Sequence, residues 1–252
     1  MAYNQISKIK YEKGFYILTI NGNKYTLDEF YYEDLLAYVG KVLEVSEMLT
    51  LIAFANSHKT LKKLYKKIFN HSISTYEVKV KLKKDEISEE HINLIINKLK
   101  DKNYLNEDDF INYYKEIYQA KKGKAAFKKF LESKYISTNK INNALLEFNE
   151  NDEYVYNYAK NFVKNKVGSE KLLKQKLYAN LLNKGFEKQT INKVIVSLEF
   201  DNEDKNLQID ALKMIKKYPN DYYKVLNKLM IKGYRSCEIK EILKKEGAFD
   251  EN

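Results

Sequence analysis

Five lysines stand around one glycine, Lys121, Lys122, Lys124, Lys128 and Lys129 about Gly123, and their type and spacing suit the binding of an anion by charge. Lys124 and Lys128 are one helical turn apart, opposite Phe127 and Leu131, so they are expected in solvent. A solvated helix face with no partner is the plainer alternative. Lys122-Gly123-Lys124 looks like the end of a phosphate-binding loop. However, Tyr118 stands where that loop needs its first glycine, and no Ser or Thr follows Lys124. Asp108-Asp109 and the acids of 150–153 lack the alternating oxygens and central glycine of a calcium loop and suit helix caps instead. His58, His71 and His91 are far apart and have no cysteine beside them, so they read as surface or packing histidines. No nucleophile and base, metal cluster or glycine-rich cofactor loop is present. The chain therefore reads as a binding protein, not an enzyme, with no cofactor and no metal.

The formal net charge of +10 comes almost wholly from lysine, since Arg235 is the one arginine. An anionic partner follows, and nucleic acid, an acidic protein surface or a membrane face would each satisfy the field. Only 8 Gly and 1 Pro among 252 residues favours helix, and 44% hydrophobic residues supply a core. Cys237 is alone, no apolar run approaches the roughly 18–20 residues of a membrane span, and the start is not signal-like. A cytoplasmic protein is expected.

The elements that must position these lysines come from a repeat. Counting from Glu86, equivalent positions fall at Tyr135, Gly185 and Gly233, at intervals of 49, 50 and 48 residues. Four residues earlier stand Leu82, Leu131, Leu181 and Leu229, and eight earlier Val78, Phe127, Leu177 and Val225. One residue later come Ile87, Ile136, Phe186 and Tyr234, and six later Ile92, Ile141, Ile191 and Ile239. A period near fifty residues with helical spacing marks an array in which each unit buries its apolar face partly against its neighbour. The expected fold is mainly α: four tandem three-helix, helix-turn-helix-like repeats at 46–101, 106–147, 151–199 and 202–246, in an elongated curved array. Residues 1–45 form a β-rich segment before them.

Within that segment, Lys8–Tyr11, Phe15–Ile20 and Lys24–Leu27 have strand composition, and Asn21-Gly22-Asn23 is a turn signal, so a small hairpin or meander is expected. A short helix is read from Tyr31 to Gly40, and a long one from Ser46 to about Asn70. Ser74-Thr75-Tyr76-Glu77 has the form of a capping box, and Ser88, Asn106 and Ser137 or Thr138 open later helices. Glu147–Glu153 and Glu199–Asp204 read as linkers with caps. Ala159 and Ala211 are small residues for close helix approach, and Pro219 is placed in the first turn of the penultimate helix.

Tyr104-Leu105-Asn106-Glu107-Asp108-Asp109-Phe110, with the register of Leu82 and Ile92, resembles the RecX family of recombinase regulators over nearly the whole chain. Lys184-Gly185-Phe186 and Lys232-Gly233-Tyr234 resemble that family's Lys-Gly-apolar helix junction, and Ile6–Leu27 is similar to the β-rich extension of its longer members. The family's Arg-x-Arg-Ser motif is altered here, with His71 and Ile73 at the arginine positions. Lysine keeps charge but lacks the bidentate geometry of arginine. The resemblance implies a protein that binds the RecA filament on single-stranded DNA, lies along its groove, and suppresses ATP hydrolysis and strand exchange; a monomer is expected. Lys79, Lys83, Lys121, Lys122, Lys124, Lys128, Lys174 and Arg235 are the candidate contacts to partner or DNA. A direct DNA binder, or a helical scaffold for another acidic protein, is the competing expectation.

Overall fold

The structure is a computed structural model that describes residues 4–84, 87–200 and 203–247; the register position Glu86 and the linker residues Asp201 and Asn202 lie outside them. Three strands, β1 (Ile6–Glu12), β2 (Phe15–Ile20) and β3 (Asn23–Asp28), form an antiparallel meander in the order β1-β2-β3. Both connections are two-residue turns with two positive φ values, Lys13 (54°) and Gly14 (83°), then Asn21 (51°) and Gly22 (80°). That geometry matches the twist of paired strands.

Helices follow in chain order. A short α1 (Glu29–Leu35) precedes α2 (Val45–Phe69), α3 (Thr75–Lys83) and α4 (Glu89–Asp101). The next triplets are α5 (Glu107–Lys121), α6 (Lys124–Ser133) and α7 (Thr138–Leu146), then α8 (Asp152–Lys164), α9 (Glu170–Asn183) and α10 (Lys188–Val196). The last is α11 (Glu203–Lys217), α12 (Tyr222–Ile231) and α13 (Ser236–Lys245). No described helix is long and apolar enough to cross a membrane.

The repeated positions are the core. Leu82, Leu131, Leu181 and Leu229 are all 0% exposed, as are Val78, Phe127, Leu177 and Val225, and the four isoleucines reach at most 3%. Ala159 and Ala211 are also fully buried, as their size suggested. The chain divides into two compact units, Met1–Tyr114 with Leu131–Ala144, and Lys115–Phe130 with Leu145–Asn252, a division that passes through the α5–α7 triplet.

In the first unit, Ile6, Leu18, Ile20 and Leu27 of the sheet share one core with Phe54 and Leu61 of α2 and Ile92 and Leu99 of α4. Asp28 joins the layers: one carboxylate oxygen accepts the Tyr31 N–H at 3.2 Å, capping α1, and the other accepts the Tyr65 hydroxyl of α2. Burial and the Asp28 charge together push the Tyr65 phenol far above its ordinary value. In the second unit, Val155, Leu177, Phe186 and Ile191 form one core, and Leu207, Val225, Tyr234 and Ile239 another.

Three expectations are corrected. α1 ends at Leu36 in the left-handed region (φ 47°), not at Gly40, because the Lys41 ammonium bonds the Leu35 carbonyl at 2.7 Å and closes the helix early. Gly40 instead uses φ 99° to donate its N–H to the Ile6 carbonyl of β1 at 2.8 Å. α2 is capped at Glu44 and not at Ser46, with the Glu44 N–H bonded to the Glu47 carboxylate at 3.0 Å. Pro219 lies in the turn between α11 and α12, where it disrupts no helical bond, and Asp221 caps α12 by accepting the Lys224 N–H at 2.9 Å.

Candidate partner-binding surface

One contact recurs along the array. The turn between the second and third helices of a triplet, at Tyr135, Gly185 and Gly233, takes φ values of 58°, 87° and 96°. Such a left-handed residue ends a helix and turns its chain sharply. Each of these turns meets the start of the second helix of the preceding triplet.

In the first unit, that start is the expected capping box. The Ser74 hydroxyl accepts the Glu77 N–H at 3.2 Å and the Glu77 carboxylate accepts the Ser74 N–H at 3.2 Å. Lys134 reaches the same carboxylate at 2.7 Å, and the Tyr76 and Tyr135 rings lie 4.1 Å apart. Burial acts to raise the Glu77 carboxyl, but the bonds from Lys134 and the Ser74 N–H and the Lys134 and Lys67 charges outweigh it, leaving the group below the usual carboxylate range.

In the second unit, backbone replaces side chain. The Gly123 N–H donates to the Lys184 carbonyl at 3.1 Å and the Ala125 N–H to the Gly185 carbonyl at 2.9 Å. Glu150 lies across the same joint, its carboxylate accepting the Lys124 N–H at 2.9 Å and the Glu187 N–H at 3.1 Å. Further along, the Ser169 hydroxyl caps α9 by accepting the Leu172 N–H at 3.2 Å and donates to the Lys232 carbonyl at 2.5 Å. Asp210, only 5% exposed, accepts from Lys232 at 2.7 Å and from the Tyr234 hydroxyl at 3.1 Å. The role of Glu150 was hidden in the sequence among linker acids; its position just before the Asn151 cap was the one available signal.

The candidate lysines fall on this framework in separate groups. Lys79 and Lys83 share Glu89, at 2.6 and 3.5 Å, and the hydrogen bond and charge of Lys79, with help from Lys83, hold that exposed carboxyl below its ordinary value. Lys174 pairs with Glu170 one turn away and lies 5.0 Å above the Phe200 ring. Arg235, 81% exposed, is 3.7 Å from Glu238.

Around Gly123 the picture differs. Lys121 and Lys122 are exposed and make no ion pair among the described residues, Lys128 and Lys129 are exposed, and half-buried Lys124 lies 3.7 Å from Glu187. Phe127 and Leu131 are buried on the other side of α6, as the spacing predicts. The second unit thus gathers Lys121, Lys122, Lys124 and Lys128 about one turn, whereas Lys174 stands on α9, Arg235 just before α13, and Lys79 and Lys83 belong to the first unit.

Of the histidines, His58 places Nδ1 2.8 Å from the Ala55 carbonyl, and His71, at φ 52°, lies 3.7 Å from the Asp109 carboxylate. Cys237 is exposed.

No family model matches the chain. Its sequence is 32% identical to regulatory protein RecX of Bacillus subtilis (strain 168) over 187 residues, covering 69% of this chain and 71% of that one. It is 30% identical to regulatory protein RecX of Bacillus velezensis over 203 residues (72% and 77%), and 27% identical to that of Staphylococcus haemolyticus over 226 residues (84% and 85%). A crystal structure of regulatory protein RecX superposes with a TM-score of 0.51 at 20% identity over 75% of this chain and 98% of that one, a likeness of fold. With the Lys-Gly-apolar junctions at 184–186 and 232–234 seated on the preceding helices, and with relatives at this identity over more than two thirds of their length, the chain belongs to the RecX family of regulatory proteins.

Proposed function

We propose that this protein is a non-enzymatic, cytoplasmic, monomeric regulator that binds the RecA filament on single-stranded DNA and lowers its ATP hydrolysis and strand exchange. Family membership supports the partner. The observation that supports a nucleoprotein partner over a neutral one is the turn at Gly123, where Lys121 and Lys122 are exposed and make no ion pair among the described residues. On this reading the helical array spans several protomers and its lysines lie near the nucleoprotein groove. Charge of this kind raises the encounter rate more than it fixes specificity.

The test is co-sedimentation with RecA, ATP and single-stranded DNA, read together with the recombinase ATPase rate. The protein is expected in the pellet with the filament, with ATP turnover reduced in proportion. A protein that stays in the supernatant and leaves the rate unchanged refutes the reading. A lysate pull-down with and without nuclease separates the competing classes: a direct DNA binder loses its partners after digestion, and a scaffold for another acidic protein keeps them.

A further inference from the structure

The α8 helix carries Tyr156, Lys160 and Lys164 at intervals of four residues, so the three share one face. That face lines a cavity of about 260 Å³ in the second unit. Leu198, Glu199 and Phe200, after α10, also line it, together with the buried Gly168, Leu173 and Asn206. The volume is just below the roughly 300–1,000 Å³ of sites for drug-sized molecules, so it suits one ring system and not an extended ligand.

The charges in this cavity are unevenly satisfied. Glu170 on the wall is already paired with Lys174, whose ammonium also lies 5.0 Å over the Phe200 ring. Lys160 and Lys164 are exposed and make no ion pair among the described residues, whereas Lys79, Lys134 and Lys232 each hold a carboxylate. Among the described residues, Glu199 is the other carboxylate of the lining besides Glu170. Two ammonium groups one turn apart, neither in an ion pair among the described residues, match a phosphate or two successive phosphates.

The interior matches a base. Tyr156 and Phe200 both line it, and aromatic side chains hold unstacked bases with little regard to sequence. Asn206, only 7% exposed, is fixed by donating its amide N–H to the Gly168 carbonyl at 3.1 Å, which leaves its own carbonyl oxygen as an acceptor. We infer that this cavity is a nucleotide site of the regulator, taking one unstacked base of a single-stranded nucleic acid between Tyr156 and Phe200 with the adjoining phosphates on Lys160 and Lys164. The choice of a strand over a free nucleotide rests on the filament reading above and on the two cations spaced along α8.

The test is fluorescence anisotropy of the full chain with a labelled oligothymidylate and with a matched strand of abasic sugars that keeps every phosphate. Phe200→Leu, which retains an apolar side chain and loses the ring, is expected to weaken oligothymidylate binding about tenfold, within the range of one lost stacking contact, and to leave the abasic strand unaffected. Lys160→Ala/Lys164→Ala is expected to weaken both strands and to flatten the salt dependence by about 0.7 for each phosphate contact removed. Thermal melts at the wild-type temperature show that both variants are folded. The inference is overturned if Phe200→Leu weakens the two strands equally, if the lysine pair leaves the salt dependence unchanged, or if thymidine monophosphate binds as tightly as the oligonucleotide. A wild-type chain that binds neither strand also overturns it, and filament co-sedimentation then decides the regulatory reading independently.

Discussion

A Cβ placed on Gly123 would lie 2.1 Å from the carbonyl carbon of Gly185, and one placed on Gly185 would lie 2.3 Å from the backbone nitrogen of Ala126. Backbone cannot yield as a flexible side chain can. Gly123→Ala is therefore expected to force the joint open and to cost roughly 1–3 kcal/mol, as overpacking does in a closed core. Gly185→Ala adds the strain of its φ of 87° and is expected to cost more. Urea midpoints of the two variants check the order, and midpoints equal to wild type would show that the joint is not closed in solution.

The repeat register makes a second prediction. Leu131 and Leu181 occupy equivalent places in their triplets and both are 0% exposed. Leu→Ala at either is expected to cost roughly 2–5 kcal/mol, with the spread set by how far each site collapses. Equilibrium denaturation measures it.

Acid should loosen the first of the recurring contacts. The Glu77 carboxyl is held below its ordinary value, so the stability it contributes is full above about pH 4.3 and is lost as pH falls through the depressed folded value. The wild-type denaturation midpoint should fall over that range. Glu77→Gln should show a shallower fall and a lower midpoint at neutral pH. Identical pH profiles would remove Glu77 from the acid response.

For the cationic turn, Lys121, Lys124 and Lys128 changed together to Glu should weaken inhibition of the recombinase ATPase. Thermal stability should hardly change, since the ion pair of Lys124 with Glu187, at 3.7 Å, is partly in solvent and Lys121 and Lys128 are exposed. Wild-type inhibition should also fade with salt, because exposed charges are screened over about 10 Å at 0.1 M. A triple variant that inhibits like wild type at low and moderate salt would leave the apolar edges of the repeats as the contact surface.

The segments 46–101, 106–147, 151–199 and 202–246 are proposed as the repeat boundaries. A chain truncated near Asn149 should remain helical and soluble by circular dichroism, whereas one truncated near Leu131, inside α6, should aggregate through the Phe127 face it leaves uncovered. Equal behaviour of the two would place the boundaries elsewhere.

Much of this fold was legible because its signals are local or periodic. Ser74, Ser88, Asn106 and Asn151 each cap the helix that follows, through a bond spanning two or three residues, and the Leu and Ile positions repeat at one spacing. What stayed hidden depends on groups distant in the chain. Leu36 ends α1 with help from Lys41, and Gly40 was spent on pairing with Ile6. The bond from Tyr65 to Asp28 spans 37 residues, and the cavity brings Phe200 together with a stripe on α8 that by itself looks like an ordinary solvated face.

The hydrogen bonds from Gly123 to Lys184 and from Ala125 to Gly185 have a consequence for divergence within the family. They join amide to carbonyl, so apart from requiring glycine at the closest approach they are blind to which side chains those positions carry. Mutations at Ala125 that keep its backbone N–H leave these two bonds in place, and a lineage can drift far in identity and still join its α9–α10 turn to the start of α6 in the same way. Lys121 and Lys122, which make no ion pair among the described residues, are thereby free to track a changing partner, because these backbone bonds ask nothing of their side chains.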